Sequence, residues 1–188
     1  MSRRFAIVDD FAEAKYEGNQ LAVVRDAEGL SSGEMQRIAR EFNYSETSFV
    51  LGGVARDGAY DVRIFTPAEE VPFAGHPTLG TAYVIARYLP GAFGDEVVLR
   101  VPAGVIPVTR GAAGTPERDV FWMHQLPPRF GATAAPEDVA AVLGLEARDV
   151  DGDHPIQDVT TGLGFLIVPL HGLGALQRIN VDSERLLA

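Results

Sequence analysis

The stretch from Arg63 to Ala82 constrains this chain more than any other. Tyr60 to Phe65 reads as a strand, and a short polar loop follows in which Pro67 and Pro72 fix the backbone. The run Phe73-Ala74-Gly75-His76-Pro77-Thr78 then enters a helix abruptly. Proline suits the first helical position, so Pro77 makes His76 the expected N-cap. Gly75 offers close approach or a positive φ. Leu79, Ala82, Tyr83, Ala86 and Leu89 recur at helical spacing, and Pro90-Gly91 stops the helix. Gly80, Thr81 and Ala82 are small enough for close burial against a curved sheet. The first amides of a helix have no partner within it, and they can hold an anion. Loop, glycine, histidine and helix start together make a site for a small acid.

The flanking segments supply strands and one further helix. Phe5 to Val8 is a strand, Asp9 to Asn19 a polar loop with a turn at Gly18-Asn19, and Leu21 to Arg25 a second strand. Asn19 is a residue type that tolerates the left-handed backbone of a turn. Ser31 with Glu34 forms a capping box ahead of the apolar face Met35, Ile38, Ala39 and Phe42, and Asn43 can end that helix. Ser45 to Leu51 then alternates, with Glu46, Ser48 and Val50 on one side and Thr47, Phe49 and Leu51 on the other. A glutamate on a strand usually faces water, but Glu46 stands between Ser45 and Thr47, whose hydroxyls could hold a carboxylate.

Glu96 to Val101, Val105 to Arg110 and Val120 to His124 read as strands, the first two joined by a turn at Pro102-Ala103-Gly104, and Gly111 to Glu117 reads as a loop. The proline-rich Gln125-Leu126-Pro127-Pro128 marks a domain boundary, giving domains 1–124 and 125–188. Beyond it come a helix from Pro136 to Gly144, strands at Ile156 to Thr160 and Phe165 to Leu170, and another helix start at Val181-Asp182-Ser183. The whole is an α+β pattern with hairpins.

Composition excludes several kinds of chemistry. The net charge of −10 argues against a nucleic-acid backbone or an anionic membrane as partner. Cysteine is absent, so proton transfer has to use Glu, Asp or His. No apolar run approaches membrane-spanning length and the N-terminus lacks a signal pattern, so a cytoplasmic protein is expected. Asp151-Gly152-Asp153-His154 lacks the spacing of a calcium loop and reads as a polar turn. His124 and His171 are isolated, and the pairs Asp9-Asp10 and Glu69-Glu70 read as solvated loop charges. Gly162-x-Gly164 lacks the rest of a dinucleotide fingerprint. No metal and no cofactor is expected.

Three motifs carry a resemblance. Phe73-Ala74-Gly75-His76-Pro77-Thr78, the upstream Tyr44-Ser45-Glu46-Thr47-Ser48, and Gly18-Asn19-Gln20-Leu21-Ala22 resemble, in the same order, the signatures of the PhzF family of phenazine-biosynthesis-like isomerases. Thr161 to Leu170 is similar to an early strand of that family's second domain. The resemblance implies a diaminopimelate-epimerase-like β-roll around a central helix, followed by a partial second domain of the same kind. It also implies a cofactor-independent isomerase moving a proton between carbons of a small cyclic or unsaturated carboxylic acid. Glu46 would be the general base and acid, and His76 would orient or polarise the substrate. Asn19, Ser45 and Gly75 would be its neighbours.

The chain departs from the family in lacking the second domain's aspartate motif with a following T-G-S. Ala135-Pro136-Glu137-Asp138 echoes its letters only, and no role passes to Asp138. In the family the site lies between two domains. The alternative to an active isomerase is therefore an inactive truncated or split-gene product. It would act through a homo-oligomer, through a complementary half, or as a binding protein.

Overall fold

The computed structural model describes residues 2–14, 16–89, 95–111 and 120–187, so the helix stop expected at Pro90-Gly91 and most of the Gly111 to Glu117 loop lie outside the described residues. The chain divides into two compact units, Met1–Leu126 and Pro127–Ala188.

The first unit is a sheet wrapped around one helix. Its elements in chain order are β1 (Phe5–Asp10), β2 (Asn19–Val24), α1 (Ser32–Phe42), β3 (Glu46–Val50), β4 (Ala59–Phe65), β5 (Glu70–Val71), α2 (Gly75–Tyr88), β6 (Glu96–Val101), β7 (Gly104–Arg110) and β8 (Phe121–Met123). The strands run in the order β1-β2-β3-β4-β6-β7-β8, with β5 also on β4. Most neighbours are antiparallel, but β2 with β3 and β4 with β6 are parallel. A parallel pair needs a long crossover, and the two crossovers contain α1 and α2 respectively. α2 touches β1, β2, β3, β6, β7 and β8, so it lies inside the curve of the sheet. Pro77, Thr78, Gly80, Thr81, Ala82, Val84 and Ile85 are all buried, an arc of roughly 200° that is more than half of the helix circumference. Small residues let the sheet approach from so many directions.

α1 covers the opposite face with a smaller cluster of Val24, Met35, Ala39, Phe49 and Phe65. Its capping box at Ser31 and Glu34 and its left-handed end at Asn43, φ 55°, follow the sequence pattern. β1 and β2 are longer than expected. Asp10 and Asn19 extend them and pair with each other, so Asn19 opens a strand instead of lying in a turn. A positive φ does occur in the intervening loop, at Phe11 and Tyr16.

The second unit contains β9 (Arg129–Thr133), α3 (Pro136–Leu143), a 3₁₀ turn (Ala147–Asp149), β10 (Gln157–Thr160), β11 (Gly164–Ile167), α4 (Leu173–Gln177) and α5 (Ser183–Leu186). Its strands form an antiparallel sheet in the order β11-β10-β9. β9 and α4 are additions to the sequence reading, and β11 stops at Ile167, short of Leu170. Leu170 instead makes an isolated bridge to Val150. A small core of Val139, Ala140, Val150 and Ile156 holds this unit together. Among the described residues no helix is long and apolar enough to cross a membrane.

Candidate active site

Strand alternation aims the first functional side chain. Along β3, Phe49 joins the α1 cluster while Val50 joins the core around α2. Glu46 and Ser48 share the α2 side with Val50, and Thr47 turns the other way. Thr47 is fully buried on that other side, so it does not hold the Glu46 carboxylate. Ser45 is exposed and makes no hydrogen bond to Glu46 either. The partner is His76, whose Nε2 lies 3.3 Å from Glu46 Oε2, with the two side chains 10% and 20% exposed. Neither of these atoms has an aligned hydrogen bond to the protein. Both are buried with hydrogen-bonding capacity unused.

The helix start differs from the sequence expectation. The N-cap of α2 is Ala74, in extended geometry, which places Gly75 first, His76 second and Pro77 third in the helix. Proline is tolerated at each of these positions because no first-turn N–H has an intrahelical partner. Pro77 therefore does not identify the first residue. No side chain caps this end, and helical geometry leaves the Gly75 and His76 amides without partners in the helix. Gly75 is not in a positive-φ conformation, and a Cβ built on it would meet nothing within 4 Å. Neither packing nor backbone strain in this chain requires glycine there; open space adjoins the helix start.

His76 is held on its other side by Asn19, whose Nδ2 is 3.2 Å from His76 Nδ1. An amide N–H donating to Nδ1 leaves the ring proton on Nε2, facing Glu46. Burial lowers the His76 pKa and so favours this neutral imidazole. Burial also pushes the Glu46 pKa up, because its carboxylate has lost water without gaining a cation. The result is a carboxylate of raised proton affinity beside a neutral imidazole, at a helix end with free amides. Such a set can take a proton from a carbon acid and hold an anion next to it. The structure thus brings Glu46, His76, Asn19 and Gly75 to one place, with Ser45 immediately before Glu46.

One carboxylate differs from the sequence expectation. Asp10 is no solvated loop charge: it ends β1, and its carboxylate lies against α2 at Gly80. Burial, with a smaller contribution from Asp9, raises its pKa to about 7. The signal was the period of two, since Ala6 and Val8 pack on the α2 core and Asp10 continues their side.

Two other features do not join this site. A cavity of about 560 Å³ is lined by Arg3, Arg4, Arg25, Asp26 and Tyr88 among others. Tyr88 ends α2, roughly 18 Å along the helix from His76. Arg4 is paired there with Asp26, and Arg25 lies over the Tyr88 ring. Asp151 and His154 pair with each other in a turn, and no group of three or more metal-ligating side chains occurs among the described residues.

Comparison with known proteins gives the family and the fold. The family described as phenazine biosynthesis-like protein, PhzC-PhzF, matches residues 8–188. The chain belongs to the PhzF family. It is 35% identical over 185 residues to the trans-2,3-dihydro-3-hydroxyanthranilate isomerase of Pseudomonas aeruginosa, covering 97% of this chain and 63% of that protein. An uncharacterized isomerase of Pasteurella multocida is 43% identical over 182 residues, covering 94% of this chain and 58% of that one.

Among solved PhzF-like structures, a predicted epimerase from Pseudomonas aeruginosa superposes with a TM-score of 0.83 at 35% identity, over 97% of this chain and 64% of that one. The PhzF-family phenazine biosynthesis protein of Bacillus anthracis gives 0.80 at 32% identity, over 98% and 61%. A probable proline racemase from Agrobacterium radiobacter, at 13% identity and a TM-score of 0.55, shares the epimerase-like fold alone. The chain spans about three-fifths of the length of its PhzF relatives.

Proposed function

We propose that this PhzF chain serves as a cofactor-independent isomerase, shifting a proton between two carbons of a small cyclic or unsaturated carboxylic acid. The observation that carries the reading is the Glu46–His76 pair, 3.3 Å apart beside an uncapped helix start. The substrate carboxylate accepts from the Gly75 and His76 amides. Glu46, ionised, removes a proton from an acidic carbon. The electron pair left on that carbon moves through the adjoining double bond, and the Glu46 carboxyl returns the proton to a second carbon on the same face. His76 presents Nε2–H to the charge that develops, Asn19 fixes its ring, and Ser45 and Gly75 border the substrate. No bond other than C–H and the migrating double bond changes, so no redox partner enters.

The name of the Pseudomonas aeruginosa relative supports a substrate of this class. The test is turnover of trans-2,3-dihydro-3-hydroxyanthranilate in deuterated water. Glu46→Gln keeps the shape of the side chain and removes the base, so deuterium incorporation should fall by at least about a hundredfold. Incorporation at the wild-type rate in the Gln variant would remove Glu46 from the role.

A second observation favours a further reading of how the chain works. Phe130, Phe165, Leu166, Ile167, Leu173 and Leu176 are exposed apolar side chains within one small unit. Faces of that kind mark interaction surfaces. The reading is that the chain acts with a second copy or with a complementary polypeptide that covers this unit.

A further inference from the structure

The end of α2 opposite His76 carries a second cluster of charged side chains, and the register of β1 and β2 accounts for it. Phe5 pairs with Val24 at the end of that ladder. One residue further out the Arg25 amide donates to the Arg4 carbonyl, so Arg4 and Arg25 continue it. Side chains alternate along a strand. Ala6 and Val23 pack on the core around α2, and Arg4 and Arg25, each two residues from one of them, return to the same side. Arg25 lies there with its Cζ 4.8 Å from the centre of the Tyr88 ring, and Tyr88 is the last residue of α2. Like charges directly opposite each other on one face destabilise a ladder unless other groups offset them.

Here the offset is partial. Arg4 forks onto Asp26, with Nε 2.7 Å from Oδ2 and Nη2 3.0 Å from Oδ1. Arg3 donates through Nη1 to the carbonyls of Asp26 and Glu28. Arg25 forms no ion pair among the described residues. Its Nε is buried and meets no hydrogen-bond acceptor of the protein. All three arginines line the cavity of about 560 Å³, together with Asp26, Glu28 and Tyr88. Gly52 and Gly53 lie on its wall, and a Cβ built on Gly53 would meet nothing within 4 Å.

We propose that this cavity is a binding site for a small phosphorylated metabolite, whose phosphoryl group is seated among Arg3, Arg4 and Arg25. A guanidinium stacked on a ring uses its face and leaves the N–H groups of its edge for an acceptor. Arg4 Nη1 and Arg3 Nη2 take no part in the bonds to Asp26 and Glu28. One arginine fork satisfies a planar carboxylate, whereas a phosphoryl group carries oxygens in three directions and can accept from three separate arginines. Three guanidiniums face two carboxylates, one of them already held by Arg4, so the cavity is locally positive in a chain of net charge −10. Its volume exceeds that of a phosphate and leaves room for an organic body. Glu28 can accept from a hydroxyl or ammonium group of that body. The site lies at the far end of α2 from the Glu46–His76 pair and does not depend on the reading of that pair.

The experiment is a titration of inorganic phosphate into the whole chain at pH 7 and low salt, followed by the arginine Nε–H signals in NMR. The Arg25 signal is assigned by its loss in Arg25→Gln. In wild type it should move saturably, with a midpoint of about 1 mM or below. Arg25→Gln should weaken phosphate binding at this site by about tenfold or more, read from the Arg3 and Arg4 signals. Gly53→Glu brings a negative charge to the wall at a position with free space, so it should weaken binding to a similar degree with the fold intact. This second variant keeps the test decisive if Arg25→Gln fails to fold. An Arg25 signal that phosphate leaves unmoved would overturn the proposal, and so would equal midpoints in wild type and Gly53→Glu. Phosphate that binds only at the start of α2 would leave the arginine signals in place and would count against the proposal in the same way.

Discussion

The two units of the chain solve the burial problem to different degrees. In the first, α2 is surrounded by strands, and Leu21, Val84, Ile85, Leu99, Ile106 and Val108 are wholly buried. Among its buried polar atoms without a hydrogen bond, those of Glu46 and His76 face each other beside the start of α2, and others lie on Asp10, Arg25, Thr47, Ser48 and Thr81. The second unit buries Val139, Ala140, Val150 and Ile156 but leaves all of β9 and β11 exposed. Phe165, Leu166 and Ile167 are consecutive and exposed, so β11 shows apolar side chains on both faces of its sheet. The first unit thus holds unsatisfied polar groups inside a closed apolar fold, and the second holds unsatisfied apolar groups outside a small one. The first arrangement suits the proposed site. The second suits the proposed interface.

The largest expected effect is on assembly. An exposed strand edge and exposed apolar faces recruit other chains. The purified chain should self-associate at low micromolar concentration, corresponding to about 8 kcal/mol of association free energy. Light scattering reads this directly, and Phe165→Ser with Ile167→Thr should shift the mass toward the monomer. A monodisperse monomer with cooperative melting would erase the contrast between the units.

A smaller effect probes how tightly the first unit is closed. Gly80→Ala would drive a methyl to 2.5 Å from Asp10 and 2.7 Å from Leu21 Cδ2. Overpacking of this kind should cost about 2–3 kcal/mol, measured by urea unfolding. Gly152→Ala in the second unit meets nothing within 4 Å and should be nearly neutral. Equal effects at the two glycines would show that the first unit is looser than described.

Smaller again is the pH dependence caused by Asp10. Its folded pKa, about 7, stands above the ordinary 3.8. Its contribution to stability is therefore fully present below the ordinary value and is lost as pH rises through about 7. Asp10→Asn has no such loss, so its stability relative to wild type should grow between pH 5 and pH 8, by about 2 kcal/mol. Parallel stability curves for the two proteins over that range would mean that the carboxyl is solvated.

Much of this contrast was legible in the sequence, and the misses have physical causes. β6 was placed at Glu96–Val101 because its alternation is regular and a turn follows it. The capping box of α1 was plain because its two residues stand at fixed spacing. Glu46 and His76 were singled out by motif, and their mutual approach follows from a strand and a helix start that only the fold brings together. The N-cap is not legible, because proline fits several first-turn positions and Ala74 carries no capping side chain. Asp10 carries no mark of burial in the sequence, because an aspartate at the end of an apolar strand looks like the beginning of a loop. Only the register with Asn19 shows that the strand continues. β9 escaped notice because Arg-Phe-Gly-Ala-Thr has neither strict alternation nor strong strand formers throughout.

The central claim is that the start of α2, with His76, receives a carboxylate next to Glu46. Calorimetric titration of benzoate at pH 7 into wild type and Gly75→Pro, which removes one of the two amides at a position where proline suits a helix start, tests it most directly. The account predicts measurable binding by wild type and a loss of about tenfold or more in the variant, equivalent to about 1.4 kcal/mol. Equal benzoate affinity in the two proteins would contradict it.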